Sequence, residues 1–453
     1  MSGLLGSLRN AAGAMRVLER GMAVVQSNVT NASTPGYARQ RLITTPLPFD
    51  LDRGLVGGVA TAGTQSARSP HAEQSVRRLS SFSGAADQRA IQLASLEPVL
   101  GIDGAQGIGG ALTRFFQAAS ALTVTPNDGS AREHLLEQAS RAASAFQHTS
   151  AGLGEAMASV DRGIQAQLND IHAIAARLQQ MNRQFKQDYR AQDDAGLDAE
   201  LNSLLENLAG KVDYTLLRAE DGSVSVLVGG QTPLVIGERL YPLSIVPSPG
   251  GAVALVDHDG REITAQLAGG GLTTLLDLRN NVYPGYQQSL DRLAERFATE
   301  VNATLAAGVD QNGSPPATGL FTFDPAGAAR SLRTTGLAAA ELALASPTAP
   351  GGNGNALALA GLEQQRLVDG VTFAQAYGNL AARMGRDLNT ARDEAGVQRQ
   401  LFAQAREMRD ELSRVNLDEE AIALMEFQRA YQATARIVQT VDEMLDTMMA
   451  IFR

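Results

Sequence analysis

Both ends of this 453-residue chain carry apolar residues at alternating steps of four and three. The N-terminal stripe consists of Leu4, Leu8, Ala11, Met15, Leu18, Met22, Val25 and Val29. The C-terminal stripe consists of Leu424, Phe427, Tyr431, Thr434, Val438, Val441, Leu445, Met448 and Phe452. Such steps are typical of coiled coils, although one stripe alone fits an ordinary core helix equally well. Neither helix has a partner next to it in the sequence, so the simplest prediction is that the two terminal helices pair.

A dense cluster of turn-forming residues, NVTNASTPGY, ends the N-terminal helix. Pro35 and Gly36 fit the two central positions of a type II turn, and Asn28 and Asn31 suit the C-terminal exit of a helix. At the other end of the chain, Asn416 is a good N-cap for the C-terminal helix, and Glu419 stands at the third helical position. We predict that this corner fixes the angle at which the chain leaves the N-terminal helix. The corner residues are Asn28, Asn31, Thr34, Pro35, Gly36 and Tyr37.

The interior of the chain changes character twice. Residues 81–208 read as helical, with one regular stripe from Val160 to Phe185, and residues 211–267 read as short strands separated by turns. The predicted fold is therefore mainly α, with coiled-coil termini, a helical-bundle body and a small β-rich insert. The predicted domains are residues 1–35 with 416–453, residues 36–210 with 272–415, and the insert 211–271.

Composition excludes several classes of function. The formal net charge of −10, without a basic patch, argues against nucleic acid, and no apolar run approaches the roughly 18 residues that span a membrane. The chain has no cysteine, and its five histidines are scattered, so no catalytic set, cofactor site or metal site stands out. The segments DHDG and DQNG are interpreted as turns, and GAQGIGG lacks the preceding strand that a phosphate loop requires. The N-terminus lacks a cleavable secretory signal, which taken alone would indicate a cytoplasmic protein.

The terminal segments also resemble a known family. NVTNASTPGYARQR is similar to the N-terminal signature of bacterial flagellar axial proteins, and VNLDEEAIALMEFQRAYQATARIVQTVDEMLDTMMAI is similar to their C-terminal motif. The forms TPGYARQ and NLDEE are closest to the first hook-associated family, which forms the junction between hook and filament. Two interior stretches, LLDLRNNVYPGYQQSLDRLA and GVDQNGSPPATGLF, also resemble that family.

The resemblance implies a structural role outside the cell. Members of the family leave through the flagellar type III export apparatus, without a cleavable signal, and their terminal helices form the inner tubes of the structure on assembly. The implied partners are the hook protein, the second hook–filament junction protein, further copies of the chain, and a cytosolic export chaperone that binds the C-terminal helix. The resemblance implies neither an enzyme nor membrane insertion.

Three other interpretations stay open at the level of sequence. The nearest is another axial protein, a hook or distal-rod subunit. A cytoplasmic coiled-coil adaptor would explain the two stripes but not the paired end motifs. A secreted enzyme with a catalytic insert is disfavoured, because the insert of about 60 residues contains a single histidine, His258.

Overall fold

The computed structural model describes residues 2–50, 55–100, 107–188, 191–192 and 194–451. The fold is mainly helical with several small antiparallel sheets, which confirms the predicted fold class. The chain forms two compact units. Unit 1 comprises Met1–Ser83, Ile171–Leu243 and Gln398–Arg453, and unit 2 comprises Gly84–Asp170 and Ser244–Val397.

Eleven α-helices lie within the described residues. They are α1 (Ser2–Asn31), α2 (Pro70–Ala94), α3 (Ile108–Ala121), α4 (Gly129–Gln187), α5 (Ala195–Lys211), α6 (Gly271–Asp277), α7 (Tyr283–Ala306), α8 (Ala328–Ser331), α9 (Gly354–Gly361), α10 (Phe373–Ser413) and α11 (Leu417–Ile451). The eight residues of the stripe predicted from Val160 to Phe185 are all buried along α4, as the sequence indicates.

Twelve short strands accompany these helices in the same part of the chain. They are β1 (Gln40–Pro46), β2 (Phe49–Asp50), β3 (Leu55–Val56), β4 (Val59–Ser66), β5 (Tyr214–Arg218), β6 (Val224–Val228), β7 (Thr232–Ile236), β8 (Arg239–Leu240), β9 (Ser244–Pro247), β10 (Val253–Val256), β11 (Phe321–Thr322) and β12 (Arg333–Thr334). The predicted insert, residues 211–271, contains β5 to β10, of which β5–β8 belong to unit 1 and β9–β10 to unit 2. The division into three domains stays a prediction.

In unit 1 the two terminal helices pack against each other in antiparallel orientation. The ring of Phe427 lies so close to Gly21 that a Cβ atom there would come within 2.8 Å of it. One turn further on, the Tyr431 hydroxyl donates to Glu19 Oε1 at 3.3 Å. These contacts join the second half of α1 to the first half of α11, so the two terminal helices pair, as their unpartnered stripes predict.

A β-hairpin follows α1, which the sequence interpretation missed. Strands β1 and β4 pair antiparallel, and β2 pairs with β3 beyond them. Most side chains of β1 and β4 are exposed or half-buried, so neither strand shows the alternation of apolar and polar residues that identifies a strand. The sequence of the hairpin therefore carries no local signal that identifies its strands. In the structure the hairpin packs against α1.

The four-stranded sheet β5-β6-β7-β8 is held to the C-terminal part of α4 by one buried amide. Asn182 donates to the carbonyls of Val224 at 2.7 Å and Gly237 at 2.6 Å, and its own oxygen accepts from the Val224 N–H at 2.8 Å. A fully bonded amide of this kind fixes the sheet to one position along the helix.

Unit 2 is a helical body around an aromatic cluster. Phe297 lies at the centre, with its ring centroid 5.2 Å from Phe115 and 5.1 Å from Phe321. Phe116, Phe146 and Phe373 complete the cluster. Although aromatic residues are only 5% of the chain, several of them gather here in T-shaped and stacked pairs that add packing energy to the burial of their area.

The segments DHDG and DQNG are turns, as predicted. Asp257 accepts hydrogen bonds from the N–H groups of Asp259 and Arg261 through its side chain, and Asp310 does the same for Asn312 and Ser314. Within GAQGIGG, residues 104–106 lie outside the described residues. Among the helices that the structure describes, none has the length and apolar character needed to cross a bilayer.

Candidate assembly site

The corner after α1 is a tight turn closed by backbone hydrogen bonds. The Tyr37 N–H donates to the Thr34 carbonyl at 3.1 Å, with Pro35 and Gly36 between them. Gly36 has φ 76°, the left-handed conformation that the third position of a type II turn requires. Asn31 supports the turn from the helix side, because its side chain donates to the Ser27 carbonyl at 3.0 Å and accepts from the Thr34 hydroxyl at 3.3 Å.

Asn28 is the centre of the corner, and its buried amide uses its full hydrogen-bonding capacity. Its nitrogen donates to the Gln40 carbonyl at 2.9 Å and to Glu420 Oε2 at 3.0 Å. Its oxygen accepts from the Gln40 N–H at 2.9 Å and from the Tyr37 hydroxyl at 3.0 Å. One side chain thereby joins the end of α1, the turn, the first residue of β1 and the first turn of α11.

Arg39 adds ion pairs between the corner and the start of α11. Its guanidinium lies 2.6 Å from Glu419 and 2.7 Å from Glu420, and the Glu420 side chain is only 1% exposed. The Arg39 N–H also donates to the Ser413 carbonyl at the end of α10. Of the two acidic partners only Glu420 is buried, so breaking the Arg39–Glu420 pair would leave a buried carboxylate without compensation, whereas the pair with the exposed Glu419 contributes little.

The N-terminus of α11 is itself capped as the sequence predicts. The Asn416 side chain accepts from the Asp418 N–H at 3.0 Å, and three carboxylates stand in the first helical turn. Carboxylates are favourable there because the helix dipole is positive at this end.

A second ion-pair network also contacts the corner. Arg68 contacts Glu73 and lies 2.8 Å from Asp198, and it also donates to the Gly36 carbonyl at 2.6 Å. Glu73 is 3% exposed and approaches Arg409, which pairs in turn with Glu206 at 2.6 Å. The network connects the turn to the start of α2, to α5 and to the end of α10, all within unit 1.

Tyr37 anchors the corner in a small apolar cluster with Ala199 and Val415. Burial raises the pKa of the Tyr37 phenol and the Glu420 carboxylate acts in the same direction, while the hydrogen bond with Ser27 lowers it. The phenol therefore stays protonated and can donate to Asn28. Of the predicted corner residues, Asn28 and Tyr37 are buried, Asn31 and Gly36 are half-buried, and Thr34 and Pro35 are exposed.

The seam between α1 and α11 is formed by the inward sides of the two stripes. Val25 and Val441 are buried, and the other predicted seam residues are half-buried. Those half-buried residues are Leu4, Leu8, Met15, Leu18, Met22, Leu424, Phe427, Tyr431, Val438, Leu445 and Met448. At the ends of the stripes, Val29 is exposed, and Phe452 lies outside the described residues.

Several residues of this site escaped the sequence interpretation. Arg39, Arg68, Glu73, Arg409 and Glu420 carry the ion pairs, but an isolated charged residue on a helix or loop resembles any solvated one. Glu420 lies in the first turn of α11, where the helix dipole favours a carboxylate whether or not it has a distant partner. The sequence signal that could have indicated these ion pairs is the concentration of Arg and Glu beside the two end motifs, because charged side chains are buried when they are paired.

The described residues contain one group of side chains whose ligand atoms could converge on a metal, Asp257, His258 and Asp259. Two of the three are exposed, and Asp257 already caps its own turn, so the turn accounts for the cluster. The corner, by contrast, is built to hold chain segments together, since its charges and amides are directed at one another.

Comparisons with known proteins agree with this geometry. Residues 93–321 match the family described as the flagellar hook-associated protein FlgK helical domain, and residues 408–451 match the flagellar basal body rod FlgEFG protein C-terminal family. The chain is 24% identical over 503 residues to flagellar hook-associated protein 1 of Bacillus subtilis, covering 99% of this chain and 98% of that protein. It is 22% identical over 553 residues to the protein of the same name from Salmonella typhimurium, covering 98% and 99%.

A solved structure shares the fold. The flagellar hook junction protein FlgK from Burkholderia pseudomallei superposes with a TM-score of 0.67 at 16% identity, over 75% of this chain and 99% of that chain. Paired terminal helices, a helical body and the two end motifs define a structural protein of the bacterial flagellar axis. Within that class the chain belongs to the flagellar hook-associated protein FlgK family, which favours a hook–filament junction protein over the hook or distal-rod alternative.

Proposed function

We propose that this chain builds the layer between hook and filament by self-assembly through α1 and α11. The observation that carries the proposal is the corner, where Asn28, Arg39 and Glu420 join the base of the helical pair to the rest of unit 1. A locked base gives the pair a defined direction, which a repeating assembly requires. The half-buried seam supports it as well, because each helix keeps apolar surface for further partners.

The proposed neighbours follow from the position of such a layer. They are the hook protein on one side, the second junction protein on the other, and copies of this chain within the layer. The role is structural and involves no catalysis, cofactor or metal. We also propose that the protein reaches this extracellular position through the flagellar type III export apparatus.

A charge in the seam tests assembly. Val438→Asp should abolish incorporation into flagella and motility, because it places an unpaired carboxylate in an apolar contact at a cost of a few kcal/mol. Gln439→Asp is the matched control, since the neighbouring side chain is exposed. The readouts are swimming and the amount of protein in sheared flagella, in cells that carry the variant in place of the parent.

Folding and assembly are separated by a second measurement. The Val438→Asp variant should still be released into the medium as a monomer, with the thermal unfolding of unit 2 unchanged. Normal swimming with Val438→Asp protein present in sheared flagella would contradict the proposal.

We further propose that a cytosolic chaperone covers α11 before export. Several large apolar side chains of α11 are half or more exposed even when α1 is packed beside it: Ile422, Met425, Ile437, Met444 and Met449. An amphipathic helix of this kind fits an apolar groove. Deleting residues 415–453 should abolish capture of the chaperone in pull-downs, whereas deleting residues 1–35 should not. Capture by the C-terminal deletion would show that α11 serves assembly alone.

A further inference from the structure

Methionine is the most readily oxidised side chain of this protein, because the chain contains neither cysteine nor tryptophan. Its thioether accepts an oxygen atom from a peroxide and becomes a sulfoxide, which is polar where the thioether is apolar. The oxidant must reach the sulfur atom for this reaction to occur. The position of each methionine in the fold therefore decides which part of the molecule oxidation changes.

The described methionines fall into three groups by exposure. Met181 in α4 and Met384 in α10 are buried, with 0% and 3% of their surface exposed. The half-buried methionines are Met15, Met22, Met157 and Met448. The exposed methionines all belong to unit 1: they are Met408 near the end of α10 at 60%, and Met425, Met444 and Met449 on α11 at 50%, 52% and 68%.

The exposed methionines of α11 border the apolar seam. Met425 directly follows the seam residue Leu424, and Met444 directly precedes Leu445. Both stay exposed while α1 is packed beside α11. Flexible thioethers suit a surface that has to fit more than one partner. The same choice of residue places oxidisable sulfur on the helix through which assembly is proposed to occur.

A sulfoxide on this surface would act on assembly and spare the fold. In the unassembled chain the new oxygen atom stays hydrated, so the folded state loses no hydrogen bond. When another molecule covers the surface, that water is removed, and a buried acceptor without a partner is unfavourable. Oxidation therefore weakens contacts that α11 makes on assembly more than it weakens the monomer.

The buried methionines are protected by the packing of the helices that contain them. Met181 belongs to the buried stripe of α4 and precedes Asn182, which holds the four-stranded sheet. Met384 lies on the face of α10 that also buries Leu380 and Leu388. An oxidant reaches these two sulfur atoms only when the structure opens, which is rare in a well-packed region.

We propose that Met425, Met444 and Met449 are oxidation sites, and that a peroxide acting on them in the unassembled chain prevents its incorporation into the junction layer. The proposal rests on the proposed function and adds a chemical control to it. In each reaction the O–O bond of hydrogen peroxide breaks, one oxygen atom bonds to sulfur, and the other leaves as water. The sulfur atom is oxidised by two electrons, and the peroxide is reduced by the same two.

Peptide mass spectrometry on the monomer tests the sites. Purified full-length protein is treated briefly with hydrogen peroxide, which is then removed with catalase. The three α11 methionines and Met408 should gain one oxygen atom at least about tenfold faster than Met181 and Met384, while the helix content stays unchanged. Equal rates for the exposed and buried methionines would overturn the assignment.

An assembly assay tests the consequence. Treated or untreated protein is added to cells that lack this chain, and the fraction of cells that regain filaments is counted. Treatment should lower that fraction at least about tenfold for the parent. The triple variant Met425→Leu, Met444→Leu and Met449→Leu should be unaffected, because leucine keeps a similar apolar volume and cannot accept oxygen. The matched control Met408→Leu removes an equally exposed sulfur outside α11 and should stay as sensitive as the parent.

The outcomes separate this inference from the proposed function. Treated parent that carries the three sulfoxides and restores filaments normally would overturn the inference and leave assembly intact. Equal sensitivity of the triple variant and the parent would overturn it as well, and so would full protection by Met408→Leu alone. Failure of the untreated parent to restore filaments would instead count against the proposed function.

Discussion

At the scale of single residues, the corner joins local turn chemistry to contacts between distant segments. Thr34, Pro35 and Gly36 form a turn that their identities already predict, because proline fixes φ and glycine permits positive φ. The role of Asn28 could not be predicted in the same way. Its partner Glu420 is 392 positions away in the chain, and nothing near Asn28 indicates a buried carboxylate. Local geometry was therefore readable from the sequence, and the long-range hydrogen bonds that use it were not.

Gly36→Ala should destabilise unit 1 for two separate reasons. Positive φ costs an alanine roughly 1 kcal/mol, and the added Cβ atom would approach the Ala199 carbonyl oxygen at 2.9 Å, a backbone atom that cannot rotate away. Gly313→Ala is the matched control, because Gly313 has φ 80° but open space around its Cβ position. Denaturant unfolding should show a loss for Gly36→Ala that exceeds the control by about 1–3 kcal/mol. Equal losses would mean that the Ala199 backbone yields without cost.

At the scale of elements, periodicity decided what the sequence could predict. Helix α4 and the two terminal helices have apolar residues at regular helical spacing, and the structure forms helices at all three places. The hairpin of β1 and β4 has no buried face, so it offered no alternation to detect. The gathering of phenylalanines in unit 2 was equally hidden, because residues such as Phe115 and Phe373 come from distant segments.

His172 should make the attachment of the β5–β8 region to α4 sensitive to acid. The Leu243 N–H donates to His172 Nε2 at 3.1 Å, which requires a neutral imidazole. Burial lowers the pKa of His172 below its usual 6.5, and the hydrogen bond that Nε2 accepts from Leu243 likewise favours the neutral imidazole. Because the folded pKa is depressed, the unfolded chain binds the proton more readily, so this stability is present above pH 6.5 and is lost as pH falls below it.

The measurement is the free energy of unfolding of unit 1 from about pH 7.5 to about pH 5, a range that spans the usual histidine pKa. The variant His172→Gln keeps a side-chain acceptor but cannot be protonated in this range. It should therefore show a smaller decline towards low pH than the parent. Parallel declines for the two proteins would assign the acid sensitivity to other groups.

At the scale of the whole molecule, the distribution of buried side chains separates a stable body from ends that await partners. In α1 and α11 the buried apolar side chains among the described residues are Ala11, Val17, Val25 and Val441. The aromatic cluster of unit 2, by contrast, is almost fully buried, with Phe115, Phe146 and Phe297 at its centre. Two helices that share a half-buried seam gain little from packing, and an isolated helix is marginal in water. Folding of the ends is therefore expected to be coupled to assembly.

Amide hydrogen exchange on the monomer tests that coupling. Amides of α1 and α11 should open locally and exchange at least about 100-fold faster than those in the interior of α4, because local stability follows the density of buried contacts. Residues near Asn28 and Glu420 should be the best protected part of the two helices, since the corner holds them. If assembly proceeds through α1 and α11 as proposed, the amides of both helices should become protected together in the assembled state. Protection of α1 and α11 equal to that of α4 in a verified monomer would show that the pair is stable alone, and assembly would then be the docking of preformed helices.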